Sequence, residues 1–397
     1  MRNTKRFTSL AAVAVMGLMV AACGSDDTAS DATSATGATT APGATTAPGA
    51  TTAPDGTTGP EGSAAPGTAA SGSGPKVGLV YDIGGRGDQS FNDSAAAGVE
   101  RAQSELGITF TEASPNADGS NRKELLDLAA ASSDIVIAVG FLFEPDAAAV
   151  GKSNPDKTFG VVDSAMIDAT TNQPYGDNIA GLVFSEEQGS FLVGAAAALK
   201  STANHIGFIG GVKGVGGLIE KFEAGYTAGA KAVNPDITVD VKYISEAPDF
   251  TGFNAPDQGR DIATAMYDGG ADIVYSAAGG SGAGVFEAAK ASSEAKGSKV
   301  WAIGVDSDQY NTSDPAVKDY ILTSMIKRVD VAVFEIIKAQ MDGNVKGGPT
   351  RYDLSVDGVG YATSGGFVDD IKDKLEAYKA DIISGKIVVP TDPTKVG

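Results

Sequence analysis

One cysteine, Cys23, and one histidine, His205, are all that this chain of 397 residues provides of either type. So few leave no internal disulfide and no His-rich zinc site, and a Ser/His/Asp triad would rest on a single imidazole. His205 opens the apolar, strand-like run HIGFIG, which reads as a structural position. Positive charge is scarce as well: 30 Lys and Arg stand against 50 Asp and Glu, a formal net charge of −20. From Lys76 onward the balance is 27 against 45, a net of −18. Such a surface argues against nucleic acid or anionic lipid as a partner and leaves a small neutral ligand open. Nothing in the composition calls for a metal or a cofactor.

What is present begins with a charged start, Arg2, Lys5 and Arg6, ahead of an apolar run from 10 to 22 that is too short to span a bilayer. With small residues before a cut site, positions 1–22 read as a secretory signal peptide. The run ends in Val20, Ala21, Ala22, Cys23, which resembles the lipobox of bacterial lipoproteins, in which the cysteine carries lipid. From 23 to 75 the chain repeats GATTAP at 37–42, 43–48 and 49–54 and has almost no large apolar side chain. It cannot bury a core and reads as a disordered tether with a reach of roughly 40 Å.

After Lys76, short β-branched runs at 77–81, 134–139, 158–163, 179–183, 205–210, 239–244, 272–276 and 299–305 alternate with helical patterns. Ala95, Val99, Ala102 and Leu106 fall on one helix face, and 122–130, 186–199, 217–232, 258–268, 284–296 and 328–341 read the same way. Strand alternating with helix predicts an α/β fold of parallel sheets covered on both faces. The length exceeds one such core, so two lobes are expected. The boundaries read as 76–185 and about 307–327 for the first lobe, and 186–306 and about 328–397 for the second, with crossings near 184–187, Asp306 and Lys327.

Ligands of open parallel sheets lie outside the carboxyl ends of the strands. The stretch DIGGRGDQSFNDS, 82–94, sits at such an end and gathers Asp82, Asp88, Phe91 and Asn92. Later strand ends offer Asp163 in VVDS, Tyr275 and Gly280 around SAAGGSGAG, Asp306 in GVDSD and Lys327 in MIKRVD. A dinucleotide loop is disfavoured because Ser90 stands where GxGxxG needs its third glycine. Arg86, Gly87 and Asp88 spell the adhesion tripeptide, which arises often by chance. Phe91 suits stacking on a flat ring or burial in a core, and Asn92 suits a ligand or a helix cap. An ionised Asp accepts two parallel hydrogen bonds and so matches a vicinal diol; Asp306 is best placed for this, with Lys327 to balance its charge. A nucleoside hydrolase using Asp82 and Asp88, and a sugar receptor, remain as alternatives.

The motifs VYDIGGRGDQSFNDSAAAG, AVGF (138–141), VVDS (161–164), FSEEQGSFLVGAAA (184–197), FEAGYTAGA (222–230), SAAGGSGAGVFEAAK (276–290), AIGVDSDQ (302–309) and TSMIKRVD (323–330) follow one another in order. Together they resemble the basic membrane protein family of nucleoside-binding lipoproteins, the substrate-binding components of nucleoside ABC transporters with a type I periplasmic-binding-protein fold. The resemblance implies a non-enzymatic role: capture of a purine nucleoside such as inosine, guanosine or adenosine in the cleft between two lobes. It implies delivery to ABC permease and ATPase subunits, a monomeric protein, and a lipid anchor at Cys23 on the extracytoplasmic face of the cell membrane. Phe91 and a second-lobe aromatic, assigned to Tyr275 with Phe222 as the fallback, would sandwich the base. Asp82, Asn92 and Asp163 would read its edge, Asp306 and Lys327 would hold the ribose, and Gly280 would add a backbone contact.

Overall fold

The computed structural model describes residues 74–396. The expected signal peptide, Cys23 and the tether up to residue 73 lie outside the described residues. The strands, in chain order, are β1 (Lys76–Val80), β2 (Thr109–Ala113), β3 (Ile135–Ala138), β4 (Thr158–Val162), the two-residue pair β5 (Ile167–Asp168) and β6 (Gln173–Pro174), and β7 (Ile179–Phe184). They continue with β8 (His205–Lys213), β9 (Thr238–Glu246), β10 (Ile273–Ala277), β11 (Trp301–Asp306), β12 (Ile321–Lys327), β13 (Gly348–Tyr352) and β14 (Val359–Tyr361). The helices are α1 (Phe91–Leu106), α2 (Arg122–Ser132), α3 (Glu144–Ser153), α4 (Glu186–Lys200), α5 (Leu218–Val233), α6 (Pro256–Asp268), α7 (Gly282–Lys296), the single turn α8 (Gln309–Thr312), α9 (Val329–Met341) and α10 (Lys372–Ile383).

Two six-stranded sheets result, ordered β13-β7-β4-β3-β1-β2 and β14-β12-β11-β10-β8-β9. The first is parallel throughout, and only β14 runs against its neighbour in the second. Alternation along the strands fills both faces. Val77, Leu79, Ile135 and Ile137 join the core under α1 and α9, whereas Val80, Val136 and Ala138 join the core under α2 and α3. The second sheet divides likewise, with Ile206, Phe208, Ile273 and Ile303 on one face and Ile209, Val274 and Ala302 on the other. Strands buried on both faces need a helix on each, which is why most strands are followed by a helical crossover. The α1 face predicted from spacing is the buried one: Ala95, Val99 and Ala102 are inaccessible, and Gly107 closes the helix in the left-handed region at φ 71°.

The lobe boundaries differ from the sequence expectation. After Phe184 the chain passes to the second sheet, where α4 packs on α5, β12 and β14. No crossing occurs at Asp306. The segment from 307 to 320 holds only one helical turn and a 3-10 turn, too little to reach the other sheet, so β12 adds directly beside β11 with Ile326 opposite Asp306. After Lys327 the chain returns to the first lobe: α9 packs on α1, β3 and β4, and β13 pairs with β7. It comes back to the second lobe after Tyr352, where β14 pairs with β12. Three strands of chain therefore join the lobes, and Glu186 and Lys327 sit on two of them.

Candidate functional site

The carboxyl ends of both sheets face one cavity, partly open to solvent. From the first lobe come Asp82, Asp88, Phe91, Asn92, Phe141 and Asp163. From the second come Phe222, Phe253, Gly279, Asp306 and Lys327, with Leu218, Ile219 and Val305 completing an apolar wall. Backbone conformation at the strand ends is specific. Asp163 after β4 and Asp306 at the end of β11 both lie in the left-handed region, at φ 65° and 64°. Residues with a Cβ adopt that region rarely, and such positions cluster at ligand sites.

Lys327 is the electrostatic centre. Its Nζ donates to Asp163 Oδ2 at 2.6 Å, across the two lobes, and lies 3.9 Å from Glu186 Oε1. It also stands over the rings of Phe91 at 4.7 Å and Phe222 at 5.7 Å. Burial alone would pull this ammonium down, but Asp163, Asp306 and Glu186 outweigh it and hold it above the usual lysine range. Asp163 keeps its other oxygen, Oδ1, buried and without a partner, so an acceptor stands ready in the cleft. Asp306 Oδ2 accepts the hydroxyl of Ser90, from the first lobe, at 2.7 Å. Burial pushes the Asp306 carboxyl up to about 6, against the pull of Lys327 and Ser90. Glu186, buried beside Lys327 and Lys221, is raised by burial as well.

The first-strand loop is knitted by its own polar groups. Asp88 accepts the backbone N–H groups of Ser90, Asn92 and Asp93 and the Asn92 amide, and so caps α1. Asn92 Oδ1 accepts the Asp82 N–H at 2.9 Å. Asp82 Oδ1 accepts the Ile83 N–H at 2.8 Å and faces Arg122 Nη2 at 3.6 Å. Burial pushes Asp82 up to about 6. Arg86 is tied to Glu100 and Glu112, and the Asp88 carboxylate is spent on the cap, so the adhesion tripeptide is part of this loop's scaffold.

A family model described as ABC transporter substrate-binding protein PnrA-like matches residues 75–393. The chain belongs to this PnrA-like family of substrate-binding proteins. It is 37% identical over 333 residues to a CD4+ T-cell-stimulating antigen of Listeria monocytogenes, covering 80% of this chain and 88% of that one. It is 35% identical over 330 residues to the ABC transporter nucleoside-binding protein BmpA of Lactococcus lactis, covering 80% and 89%. A solved ABC transporter solute-binding protein of Aeropyrum pernix superposes with a TM-score of 0.67 at 29% identity, covering 80% of this chain and 94% of that chain.

For a PnrA-like chain, the structure brings seven of the nine expected ligand residues to the cavity: Asp82, Asp88, Phe91, Asn92, Asp163, Asp306 and Lys327. Tyr275 is a correction. It lies in the middle of β10, fully buried among Phe208 and Tyr226, with its hydroxyl 3.4 Å from Ser190. A ring placed there packs on the face of the sheet and cannot reach the strand's end. Gly280 is displaced as well. Its neighbour Gly279, at φ 55°, lines the cavity, while a Cβ on Gly280 would meet Asn254, Phe253 and Asp88. Second-lobe aromatics at the cavity are Phe222, the fallback, and Phe253, which the sequence reading missed. The signal for Phe253 was available: Phe253 and Asn254, just before α6, repeat the Phe91, Asn92 pair that opens α1. His205 pairs with Asp240 at the far end of β8, in keeping with a structural position.

Proposed function

We propose that this PnrA-like protein captures a purine nucleoside, such as inosine, guanosine or adenosine, between its lobes. It hands the ligand unchanged to the permease and ATPase of an importer while tethered through lipid on Cys23 at the extracytoplasmic face. One observation carries the reading: phenylalanines and carboxylates from both lobes meet at a single cavity, with Lys327 between them. Phe91 and Phe222 offer faces to a flat base, each stacked ring being worth about 1–3 kcal/mol. Asp82 and Asp163 present acceptors to the base edge. Asp306 accepts the ribose diol and Lys327 donates to its oxygens. Because the groups lie on both sides of three chain crossings, a ligand that touches both lobes favours closure by its differential affinity for the closed form. The Lactococcus relative named as nucleoside-binding supports the ligand class.

The groups available do not favour hydrolysis. Asp88 is spent on the helix cap, so the second carboxylate that such a reaction would use beside Asp82 is not available. The test is a thermal-shift panel of purine nucleosides, pyrimidine nucleosides, free bases and pentoses. At about 100 times Kd a ligand adds roughly 2.7 kcal/mol of stability. Purine nucleosides are expected to give the largest shift with the ligand recovered intact. A full shift with pentose alone would assign a sugar receptor instead, and release of free base would assign a hydrolase.

A further inference from the structure

Behind Asp82, away from the cavity, lies a buried cation that the binding scheme above does not use. Arg122 is the first residue of α2, and its side chain is only 11% exposed. Its Nη1 donates to Gly119 O at 3.3 Å, while Nε and Nη2 are buried and have no hydrogen-bond partner. Nη2 faces Asp82 Oδ1 at 3.6 Å. Both groups pack against the backbone of a glycine. Gly119 has φ 66°, and a Cβ there would fall 2.1 Å from Arg122 Nη1. A Cβ on Gly140, at φ 110°, would fall 2.4 Å from Asp82 Oδ2. The carboxylate is thus clamped between the Gly140 backbone, the Ile83 N–H and the guanidinium.

We propose that Arg122 is a positioning residue that holds Asp82 as a hydrogen-bond acceptor toward the cleft and so selects a base that carries an N–H on that edge. This rests on the nucleoside reading above. Two charged groups act on Asp82: Arg122 from α2 favours its ionised form, and Asp163 from the end of β4 opposes it. Burial raises Asp82, the Ile83 N–H and Arg122 pull it back, and with all of them acting it stands at about 6, so loss of Arg122 would move its titration further toward neutral pH. An ionised Asp82 accepts from the ring N–H of hypoxanthine or guanine. A protonated Asp82 would donate instead, which suits the bare ring nitrogen of adenine.

The test is calorimetric titration of the full chain with inosine and with adenosine from pH 5 to pH 8.5. Wild type is expected to favour inosine at pH 7.5. In Arg122→Met, inosine affinity is expected to fall about tenfold at pH 7.5 while adenosine changes less than about threefold, and the midpoint of inosine's pH dependence rises by about one unit or more. Arg122→Lys, which keeps the charge, restores most of both. An unchanged inosine-to-adenosine ratio and an unchanged midpoint in a folded Arg122→Met protein would overturn the proposal. The carboxyl 13C titration of Asp82, in wild type and in Arg122→Lys and Arg122→Gln, needs no ligand. Should wild type bind no nucleoside, the function fails, and Arg122 is still judged: an Asp82 midpoint that does not rise in Arg122→Gln removes its role.

Discussion

Asp163 and Asp306 occupy matching places in the two lobes, each ending the fourth strand from the β2 or β9 edge of its sheet. Both stand in a Val-Asp-Ser sequence, and both are left-handed. Their partners differ. Asp163 is ion-paired with Lys327 of the second lobe, whereas Asp306 accepts a neutral hydroxyl, Ser90, of the first. Each lobe's carboxylate is therefore engaged by the opposite lobe, by charge in one case and by a hydroxyl in the other. The fold was built from one topology used twice, and the two halves have been specialised at the strand ends.

Substituting each aspartate by asparagine, which tolerates the left-handed region, separates the two roles. Asp306→Asn is expected to weaken nucleoside binding most, by about hundredfold or more, since two charge-assisted bonds to the diol are worth about 1.5–3 kcal/mol each. Free base should bind as weakly as before. Calorimetry with inosine and hypoxanthine checks this; equal losses for both ligands would remove Asp306 from the sugar. Asp163→Asn should cost more in folding, about 2–4 kcal/mol in denaturant unfolding, because it leaves the buried Lys327 short of its nearest counter-charge. Asp306→Asn should instead stabilise the unliganded protein at pH 7, by up to roughly 2–3 kcal/mol, because it removes a buried carboxylate that folding holds up at about 6. A reversed order of stabilities would break the comparison.

The aromatic walls come next. Phe91→Leu and Phe222→Leu should each lower affinity by about 1–3 kcal/mol, measured by the same titration. Tyr275→Phe should leave affinity within about twofold, since its hydroxyl makes only a long contact to Ser190. A large affinity loss in a folded Tyr275→Leu protein with Phe222→Leu silent would restore Tyr275 to the site.

Acidity gives the subtlest effect, and its sign is opposite for folding and binding. Burial pushes Asp82 and Asp306 up to about 6, from an ordinary value of 3.8. Between those values the folded protein holds more protons at these two groups than the unfolded chain. Their contribution to stability is therefore complete below about pH 4 and is lost as pH rises through 6, by roughly 2–3 kcal/mol for each group. Lowering pH from 7 to 5 should thus stabilise the unliganded protein in denaturant while weakening nucleoside binding. Parallel falls in both quantities would show that neither carboxyl is raised.

Most of this was legible because strand ends announce themselves. Asp82, Asp163, Asp306 and Lys327 each close an apolar run, and a parallel sheet puts such positions in its cleft. Tyr275 was misread because β10 is buried on both faces: a continuous apolar run hides which residue is mid-strand and which is terminal. The return of the chain through β13 was invisible for the opposite reason. GPTRY is an edge strand with three exposed residues at its centre, and it carries no apolar pattern. Arg122 gave no signal either, since a basic residue at a helix start reads as solvated, and only packing under Gly119 buries it.

A crystal structure of the protein grown with inosine addresses the central claim most directly. The base should lie between Phe91 and Phe222, with the ribose hydroxyls on Asp306 and Lys327. Inosine bound elsewhere, or a base that stacks on neither ring, would contradict it.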